Sequence, residues 1–506
     1  MRAKGFVIAS CAHAIGYTQT LKRSFDLFES FAASFAAVYV FSGLRFLFST
    51  SIAAGGPAAY WSSYIICVIF TLVTAAVLAE ICSALPAAGS VYLWAASSGG
   101  LKYGRFFGFL TAWWAITAWA TFVASLSQVV MYFALSELTI FDVESFPQTP
   151  TDIKFRAVVW IGGQIVLAVM IGLNLVSPGH YKFIFRFATA MIMLDFFLNL
   201  IWLPIGVNRT YGFQSAKFVF TKTYNKTGAS PVWNWMLSFF ATGGALVGFD
   251  ASGHIAEETH NASLVAARGV FLSALMSCQV EQFFIIVTSQ PDVDQLFALD
   301  TPQPIVQFYA LSLGQHGHVL MNVNGAVSTV AASRLVYAIA RDGILPFSGY
   351  IRRLAPNGQP RNAIFVIWGV GATLLFTILG SPVAFNSLVS AAGMPTFASW
   401  ALIACMLGRA FITPNNFKNP RWSLGKFSRP FRVLAFIYTS FMCCVLCSPL
   451  QFPVTIDTFN FCPIIFLVVT ILAVISWWLT PEDNWLEKRF IQHIQEDKLL
   501  YPQLQK

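Results

Sequence analysis

The chain is built from apolar blocks of about 20 residues or more, and this feature limits its fold more than any other. A helix needs about 20 residues to cross the hydrocarbon core of a bilayer. Backbone polar groups in lipid must be satisfied within their own segment, so each block must be a helix, and the alternating strands typical of membrane barrels are absent from the sequence. Only 10% of the residues are charged, which is too few to cover a soluble protein of this length. The sequence therefore predicts an all-α integral membrane protein.

Twelve such blocks follow one another along the chain, joined mostly by short connectors. The predicted helices 1 to 12 lie at 31–54, 60–82, 107–134, 156–175, 183–206, 232–253, 266–289, 317–340, 362–380, 384–408, 432–450 and 459–480. Because the number of crossings is even, both termini lie on the same side of the membrane.

The distribution of lysine and arginine predicts which side that is. Most of the 31 basic residues lie in loops on the side of the two termini. Cytoplasmic loops of membrane proteins carry the excess of Lys and Arg, so we expect both termini in the cytoplasm. The opposite side carries only six basic residues, which are Lys154, Arg156, Arg209, Lys217, Lys222 and Lys226.

Two glycosylation sequons agree with this orientation. Asn208 and Asn225 each begin an Asn-x-Thr sequence, and both lie in the predicted outer loop 207–231. A third sequon, at Asn261, falls on the cytoplasmic side, where it would stay unused. We therefore expect a glycoprotein that is modified at Asn208 and Asn225.

Several other classes of function lack their sequence signatures. The nine cysteines lie in or near apolar segments and no CxxC pair recurs, so we expect neither a zinc site nor a disulfide framework. No phosphate-binding loop, nucleophile elbow or pair of carboxylates in a soluble domain indicates an enzyme. The net charge of +9 comes without a basic run interleaved with aromatics. We predict no enzymatic activity, no cofactor, no metal and no nucleic-acid partner, and the surroundings are the lipid bilayer.

Two predicted helices that lie five apart in order are interrupted by glycine. Predicted helix 1 contains Ser42-Gly43, and predicted helix 6 contains Gly243-Gly244 and Gly248. Any one of these glycines could serve helix packing alone. Interruptions at matching places in two halves favour an inverted-repeat transporter, in which backbone groups freed near the middle of the membrane bind the substrate.

Four motifs run from predicted helix 1 to predicted helix 9: Gly55–Pro57, Ala79–Trp94, Gly248–Ser263, and Ala332–Ser348 followed by Pro360–Ala363. Together they resemble the amino acid–polyamine–organocation (APC) superfamily and, within it, the fungal amino acid/choline transporter family. Members of that family carry 4-aminobutyrate, choline, other amino acids or related amines. The resemblance implies a leucine-transporter-like fold of two inverted five-helix repeats plus two extra helices, with helices 1 and 6 broken.

Applied to this chain, the resemblance implies six segments. They are a cytoplasmic N-terminal tail (1–30), the first five-helix repeat (31–206), an extracytoplasmic loop (207–231), the second five-helix repeat (232–408), helices 11 and 12 (409–480) and a cytoplasmic C-terminal tail (481–506).

In the family that the chain resembles, the substrate lies between the broken parts of helices 1 and 6. By position this implies a substrate site at Ser42, Gly43, Gly243, Gly244, Gly248 and Asp250. Trp113 on predicted helix 3, with its neighbours Trp114 and Trp119, could add an aromatic wall for a cationic amine, or any one of them could face lipid instead.

Charged residues inside predicted helices need a function, because each costs about 3 kcal/mol on insertion scales. Asp250 follows the break in helix 6, where related antiporters carry an acid that couples protonation to gating. Arg45, two residues past Gly43, could hold a substrate carboxylate, reach the interface or pair with an acid in the membrane. We expect pairing, with Asp195 and Glu281 as the candidate partners.

Glu80, at the inner end of predicted helix 2, completes the set of expected proton-coupling or gating residues: Asp250, Glu80, Arg45 and Asp195. Arg334, Arg341 and Asp342 lie at the inner end of predicted helix 8. These groups predict an inner gate of ion pairs, and interfacial anchoring is the alternative.

These features predict a secondary active transporter for amino acids or related small amines such as 4-aminobutyrate or choline. Protons are the expected coupling ion, and the plasma membrane is favoured over the vacuolar membrane. One departure leaves a second hypothesis open. From Gly314 to Arg334 the chain is several residues shorter than the family pattern, which would also fit a transport-inactive or sensor-type relative with the same fold.

Overall fold

The computed structural model describes most of the chain. It covers residues 25–332, 355, 361–408 and 420–481, except residues 39, 88, 144, 145, 147, 148, 150, 177–179, 257, 258, 299, 300, 382 and 457. Arg334, Arg341 and Asp342, and with them most of the fourth motif, lie outside the described residues. The tails 1–24 and 482–506 lie outside them as well.

Helices make up nearly all of the regular structure in the described ranges, and they fall into twelve groups in chain order. These are α1 (Leu27–Val38, Val40–Phe46 and Phe48–Ala53), α2 (Gly56–Ala84), α3 (Ser90–Ile140), α4 (Ile153–Asn174), α5 (Tyr181–Phe197, Leu198–Trp202 and Leu203–Arg209), α6 (Pro231–Leu237, Phe239–Gly244 and Ala251–His254), α7 (Ala262–Ser277 and Val280–Ser289), α8 (Pro304–Ala332), α9 (Arg361–Leu375 and Thr377–Gly380), α10 (Ala384–Gly408), α11 (Ser428–Cys447) and α12 (Cys462–Leu479).

Ten of these groups are long and apolar enough to cross a bilayer within the described part of the chain. The other two are α6, which is divided into short pieces, and α8, which divides at Gly314. Together they give the expected all-α membrane fold of about twelve crossings. In the middle of the bundle, α10 packs between α3 and α11.

Local sequence explains where several helices begin. Gly55 precedes α2 with φ of 109°, a left-handed conformation that glycine adopts without strain, and Pro57 occupies the first turn, where its missing N–H costs nothing. At the start of α4 the Asp152 carboxylate accepts a hydrogen bond from Lys154 N at 2.7 Å. These signals mark where both helices begin.

Two helices five apart in order share the same kink. α3 bends at Gly100, with φ of 67° and ψ of −170°, and α8 bends at Gly314, with φ of 79° and ψ of 169°. In each case a segment of about ten residues precedes the glycine. The same backbone device thus recurs in two helices that lie five apart in order, the spacing predicted for an inverted repeat.

α8 and α1 differ from the predicted helices. Predicted helix 8 was to begin at 317, but α8 begins at Pro304 and continues past the Gly314 kink to Ala332. The predicted interruption of helix 1 at Ser42-Gly43 is wrong, because both residues lie inside the piece Val40–Phe46. Among the described residues, α1 is interrupted instead at Leu47, between the piece that ends at Phe46 and the piece that begins at Phe48.

Candidate functional site

The interruption of α6 lies against α1. Between Gly244 and Ala251 the chain leaves the helix, and Gly248 has φ of 106°, where a side chain would strain the backbone. A Cβ on Gly248 would lie 3.2 Å from the Ala37 carbonyl group, which belongs to the last turn of the first piece of α1. The backbones of α1 and α6 therefore approach closely where α6 is unwound.

Gly43 makes the matching contact from α1. A Cβ at this position would lie 2.8 Å from the Cβ of Ala245 in the unwound part of α6. The glycine therefore permits close packing, although it does not interrupt the helix as the sequence suggested. Gly244 ends a helical piece of α6, and Gly243 faces Met442 of α11 and the Cys67 thiol of α2.

A cavity opens at this junction. Among the described residues that line it, Ser125 alone has a polar side chain, and the Ser125 hydroxyl is engaged by the Phe122 carbonyl at 2.8 Å. Aliphatic and aromatic groups form the rest of the wall. They include Val38, Gly43 and Phe46 of α1, Phe122 and Leu126 of α3, Phe240, Gly244 and Val247 of α6, Gly393 of α10 and Leu446 of α11.

Asp250 lies three residues beyond Val247, at the other end of the unwound segment. The side chain is buried, and its Oδ1 atom has no hydrogen-bond partner among the described residues. The indole of Trp400 from α10 lies beside the carboxylate, and the Phe249 and Trp400 rings are 4.6 Å apart. A buried carboxylate oxygen without a partner leaves capacity to bind a proton or a cation.

The predicted aromatic wall is different in the structure. Trp113 packs with Leu110 and Trp114 against Ala473 of α12, away from the cavity. The Trp114 indole donates a hydrogen bond to the Thr470 hydroxyl, which also belongs to α12. Phe122, about two and a half turns further along α3, takes the place that was expected for Trp113. The side chain of Ser42 lies outside the described residues.

Arg45 forms the expected pair within the membrane, and its partner is Asp195 of α5. Arg45 Nη2 lies 2.6 Å from Asp195 Oδ1, and both side chains are fully or almost fully buried. Arg45 Nε donates to the Tyr309 hydroxyl at 2.9 Å. Glu281, the other candidate partner, lies exposed on α7.

Further polar groups from α5 and α8 complete this cluster. Asn324 donates to Asp195 Oδ1 at 3.1 Å, and the Tyr309 hydroxyl donates to Asn199 Oδ1 at 2.9 Å. Asn199 lies in the π-helical segment Leu198–Trp202, which interrupts α5. The cluster joins α1, α5 and α8, and the sequence alone did not indicate Tyr309, Asn199 or Asn324.

Glu80 is held by α11. The Glu80 Oε2 atom accepts from Arg432 Nη2 at 3.0 Å and from the Ser428 hydroxyl, while Oε1 accepts from the Leu424 amide at 3.0 Å. The groups of helix 8 that were expected to complete an inner gate lie outside the described residues. In the described part, Glu80 anchors the start of α11 to α2.

The first piece of α1 and the last piece of α6 are joined by serines. The Ser34 hydroxyl accepts from the Ser252 amide at 2.6 Å, and the Ser252 hydroxyl donates to the Ser30 carbonyl at 2.6 Å. Gly269 of α7 leaves room for the hydroxyls of Ser252 and Ser30, since a Cβ there would lie 2.6 and 2.7 Å from their Oγ atoms. These bonds couple the first piece of α1 to the last piece of α6.

Comparison with known proteins assigns the family. The family model described as amino acid permease matches residues 25–471, which is most of the chain. The chain belongs to the amino acid permease family. This confirms the resemblance to the APC superfamily, and the protein is a membrane permease and not an enzyme.

The permease has relatives of several named specificities. It is 47% identical to the thiamine transporter thi9 of Schizosaccharomyces pombe over 511 residues, covering 94% of this chain and 86% of thi9. It is 27% identical to the amino-acid permease BAT1 homolog of Oryza sativa subsp. japonica, covering 94% of each protein. A putative polyamine transporter of Candida albicans is 25% identical, covering 86% of this chain and 80% of that protein. The permease is thus a multi-pass membrane transporter of amino acids or small organic cations.

Proposed function

We propose that this permease is a secondary active, proton-coupled transporter of a small organic cation, with thiamine as the first substrate to test. The observation that carries the proposal is the uncharged, aromatic-lined cavity at the unwound part of α6, the segment that also carries the buried Asp250 carboxylate. The name of the 47% identical thiamine transporter supports the same class of substrate.

The cavity chemistry suits a cation with a flat, apolar body. Phe46, Phe122 and Phe240 offer ring faces, which attract organic cations through their negative electrostatic potential. The described lining residues include no acid or base. A substrate cation would then take its counter-charge from Asp250, whose Oδ1 atom lacks a partner.

An amino acid is the second candidate, and the unwound segment of α6 favours it. Backbone N–H groups freed near Gly248 could bind a carboxylate, and freed carbonyl groups could bind an ammonium. The relatives named amino-acid permeases support this reading. Of the two compounds predicted from the sequence, choline belongs to the first candidate and 4-aminobutyrate, an amino acid, to the second.

Uptake by cells that lack their own thiamine and amino acid permeases tests the substrate. We expect saturable uptake of labelled thiamine at the plasma membrane, which excess unlabelled thiamine abolishes. Saturable uptake of an amino acid with no uptake of thiamine would favour the second candidate. Uptake of choline without thiamine would keep the first class, the small organic cations, and exclude thiamine as its member. If the protein reaches the membrane and carries none of these compounds, the sensor-type alternative is favoured.

Asp250→Asn tests the coupling. The variant keeps the size of the side chain but cannot titrate, so we expect it to lose the pH dependence of uptake and accumulation against a gradient, while exchange of substrate across the membrane persists. Asp294→Asn, which changes an exposed carboxylate in the connection between α7 and α8, is the matched control and should behave as wild type. Concentrative, pH-dependent uptake by a well-expressed Asp250→Asn protein would contradict the role of Asp250.

A further inference from the structure

Two cysteines meet where α11 ends and α12 begins. Cys447 is the last residue of α11 and Cys462 is the first residue of α12. The side chain of Asn460 bonds the backbone of both helix ends, and the thiols of Cys447 and Cys462 are neighbours that influence each other electrostatically. The two thiols thus lie together although 14 residues separate them in the chain.

Asn460 holds the two helix ends in this arrangement. Its Nδ2 group donates to the carbonyls of Leu446 and Ser448, at 2.8 and 3.0 Å, which are the residues on either side of Cys447. Its Oδ1 atom accepts from the Cys462 amide at 3.0 Å. One side chain therefore fixes the backbone on both sides of the thiol pair, so their approach does not depend on the mobility of a loop.

The two thiols differ in access. Cys462 is fully buried, whereas Cys447 is partly exposed. A reagent would therefore reach Cys447 first, and Cys462 would be in place to react next. Two other cysteines lie in the same helix. The Cys443 thiol donates a hydrogen bond to the Met394 carbonyl, and Cys444 is exposed.

We propose that Cys447 and Cys462 are a redox site that forms a disulfide on the extracytoplasmic side of the membrane. The orientation predicted from Lys and Arg places the connection between α11 and α12 on that side, where disulfides persist. The Cys447 thiolate attacks a small-molecule disulfide and releases one thiol. The Cys462 thiolate then attacks the mixed disulfide and releases the second. In total, two protein thiols and one disulfide become one protein disulfide and two small thiols.

The bridge would secure a wall of the cavity. Leu446, the neighbour of Cys447, lines the cavity and packs closely against Gly393 of α10. Closing the connection of α11 to α12 restricts the end of α11 at that wall. The redox site does not depend on which substrate the permease carries.

Differential alkylation of the full-length protein tests the proposal. Isolated membranes are dissolved in denaturant that contains light N-ethylmaleimide, which blocks every free thiol. The protein is then reduced and labelled with the heavy form of the same reagent, which marks the thiols released from disulfides. We expect Cys447 and Cys462 to carry the heavy label, either as isolated or after exposure to glutathione disulfide, and an unreduced digest to contain the linked peptide. Cys443 and Cys444 should carry the light label.

Two variants make the assignment specific. In Cys447→Ser, Cys462 should be a free thiol and carry the light label. In Cys443→Ser, Cys447 and Cys462 should still carry the heavy label. The proposal is overturned if Cys447 and Cys462 carry the light label both before and after glutathione disulfide. It is equally overturned if Cys462 stays protected in Cys447→Ser, because Cys462 then has another partner.

Discussion

At the scale of single residues, the ion pair of Arg45 and Asp195 is costly to bury, because both side chains are almost entirely removed from solvent. Both groups lose water, and the attraction between them offsets that cost only because Tyr309 and Asn324 satisfy further donors and acceptors. Gly325 belongs to the same arrangement, since a Cβ there would collide with the Arg45 guanidinium. Removing one partner leaves a buried charge without compensation.

We therefore expect Asp195→Leu to destabilise the permease by about 3–5 kcal/mol, because the Arg45 guanidinium stays buried and unpaired. The double variant Arg45→Met, Asp195→Leu should recover much of this loss, because it removes both charges. Thermal unfolding of the purified proteins in one detergent measures both effects.

Asp294→Leu is the control for the loss of a carboxylate, because Asp294 is exposed and its substitution should change stability by about 0.5 kcal/mol or less. A double variant no more stable than Asp195→Leu would mean that the two residues stabilise the fold separately.

Part of this cluster could be predicted from the sequence. A buried arginine in an apolar helix requires a carboxylate partner, and the predicted helices contain only a few acidic residues. The pair of Arg45 and Asp195 could therefore be predicted. Tyr309, Asn199 and Asn324 could not, because tyrosine and asparagine are common in helices and give no signal of a partner more than 100 residues away. Trp113 was misplaced because the number of tryptophans on α3 does not tell which face of the helix meets the cavity.

At the scale of elements, the length of the apolar blocks predicted most helices well. Predicted helix 4 at 156–175 is observed as Ile153–Asn174, and predicted helix 12 at 459–480 is observed as Cys462–Leu479. Both spans are limited by the thickness of the bilayer, which composition reveals. The start of α8 was missed because its first segment, Pro304 to the Gly314 kink, is too short to be recognised as a crossing.

Interruptions within helices were harder to predict than helix ends. The prediction that Gly248 interrupts helix 6 is correct, because this residue has a positive φ that glycine adopts without strain. The prediction for Gly43 is wrong, because the same residue also serves where two backbones pack closely, as it does against Ala245. A glycine in the sequence can mark either an interruption of its helix or a close contact between two backbones. Only the structure of the neighbouring helix shows which of the two applies.

We expect Gly248→Ala to impair uptake at least tenfold more than Gly369→Ala. At Gly248 the alanine side chain would be strained by the left-handed backbone, at about 1–2 kcal/mol, and would also press on the Ala37 carbonyl. Gly369 lies in a helical piece of α9 with no atom within 4 Å of an added Cβ, so alanine fits there. Initial rates of uptake, normalised to surface expression, give the comparison.

The close approach of α1 and α6 would be unimportant for transport if Gly248→Ala and Gly369→Ala carried substrate at equal rates. A loss of surface expression in Gly248→Ala alone would instead assign the glycine to folding. Surface biotinylation of both variants distinguishes these outcomes.

At the scale of the whole molecule, the chain has two distinct ends, and the outer loop covers one of them. The Gly55 amide donates to the Tyr224 carbonyl at 2.8 Å, and the Lys226 amide donates to the Ala53 carbonyl at 2.9 Å. The loop between α5 and α6 is therefore fixed over the junction of α1 and α2. Glu80 and its partners before α11 lie at the opposite end of α2.

The Asn225 sequon lies on this fixed loop, and the Asn208 sequon begins just before it. Asn225 is exposed, and its side chain bonds the Ala229 carbonyl and the Thr227 hydroxyl. Asn208 is exposed in the last helical piece of α5. We propose that glycans at Asn208 and Asn225 would extend away from the bilayer if this end faces the outside, whereas Asn261, which accepts from Arg421, belongs to the other end.

We predict that the loop end is extracytoplasmic, and two single cysteines test this. Lys217 lies in the short helix Ala216–Thr221 of the outer loop, and Lys426 lies immediately before α11 at the other end; both side chains are exposed. Positive charge is retained on the cytoplasmic side during insertion, and the basic residues concentrate at the end that carries Lys426. In intact cells, Lys217→Cys should react with a membrane-impermeant maleimide, whereas Lys426→Cys should react only after permeabilisation.

The wild-type protein gives the background labelling of its own cysteines. If Lys426→Cys is the variant labelled in intact cells, the orientation is inverted. The Cys447–Cys462 pair would then face the reducing cytoplasm, so the same measurement also determines where the redox site can operate.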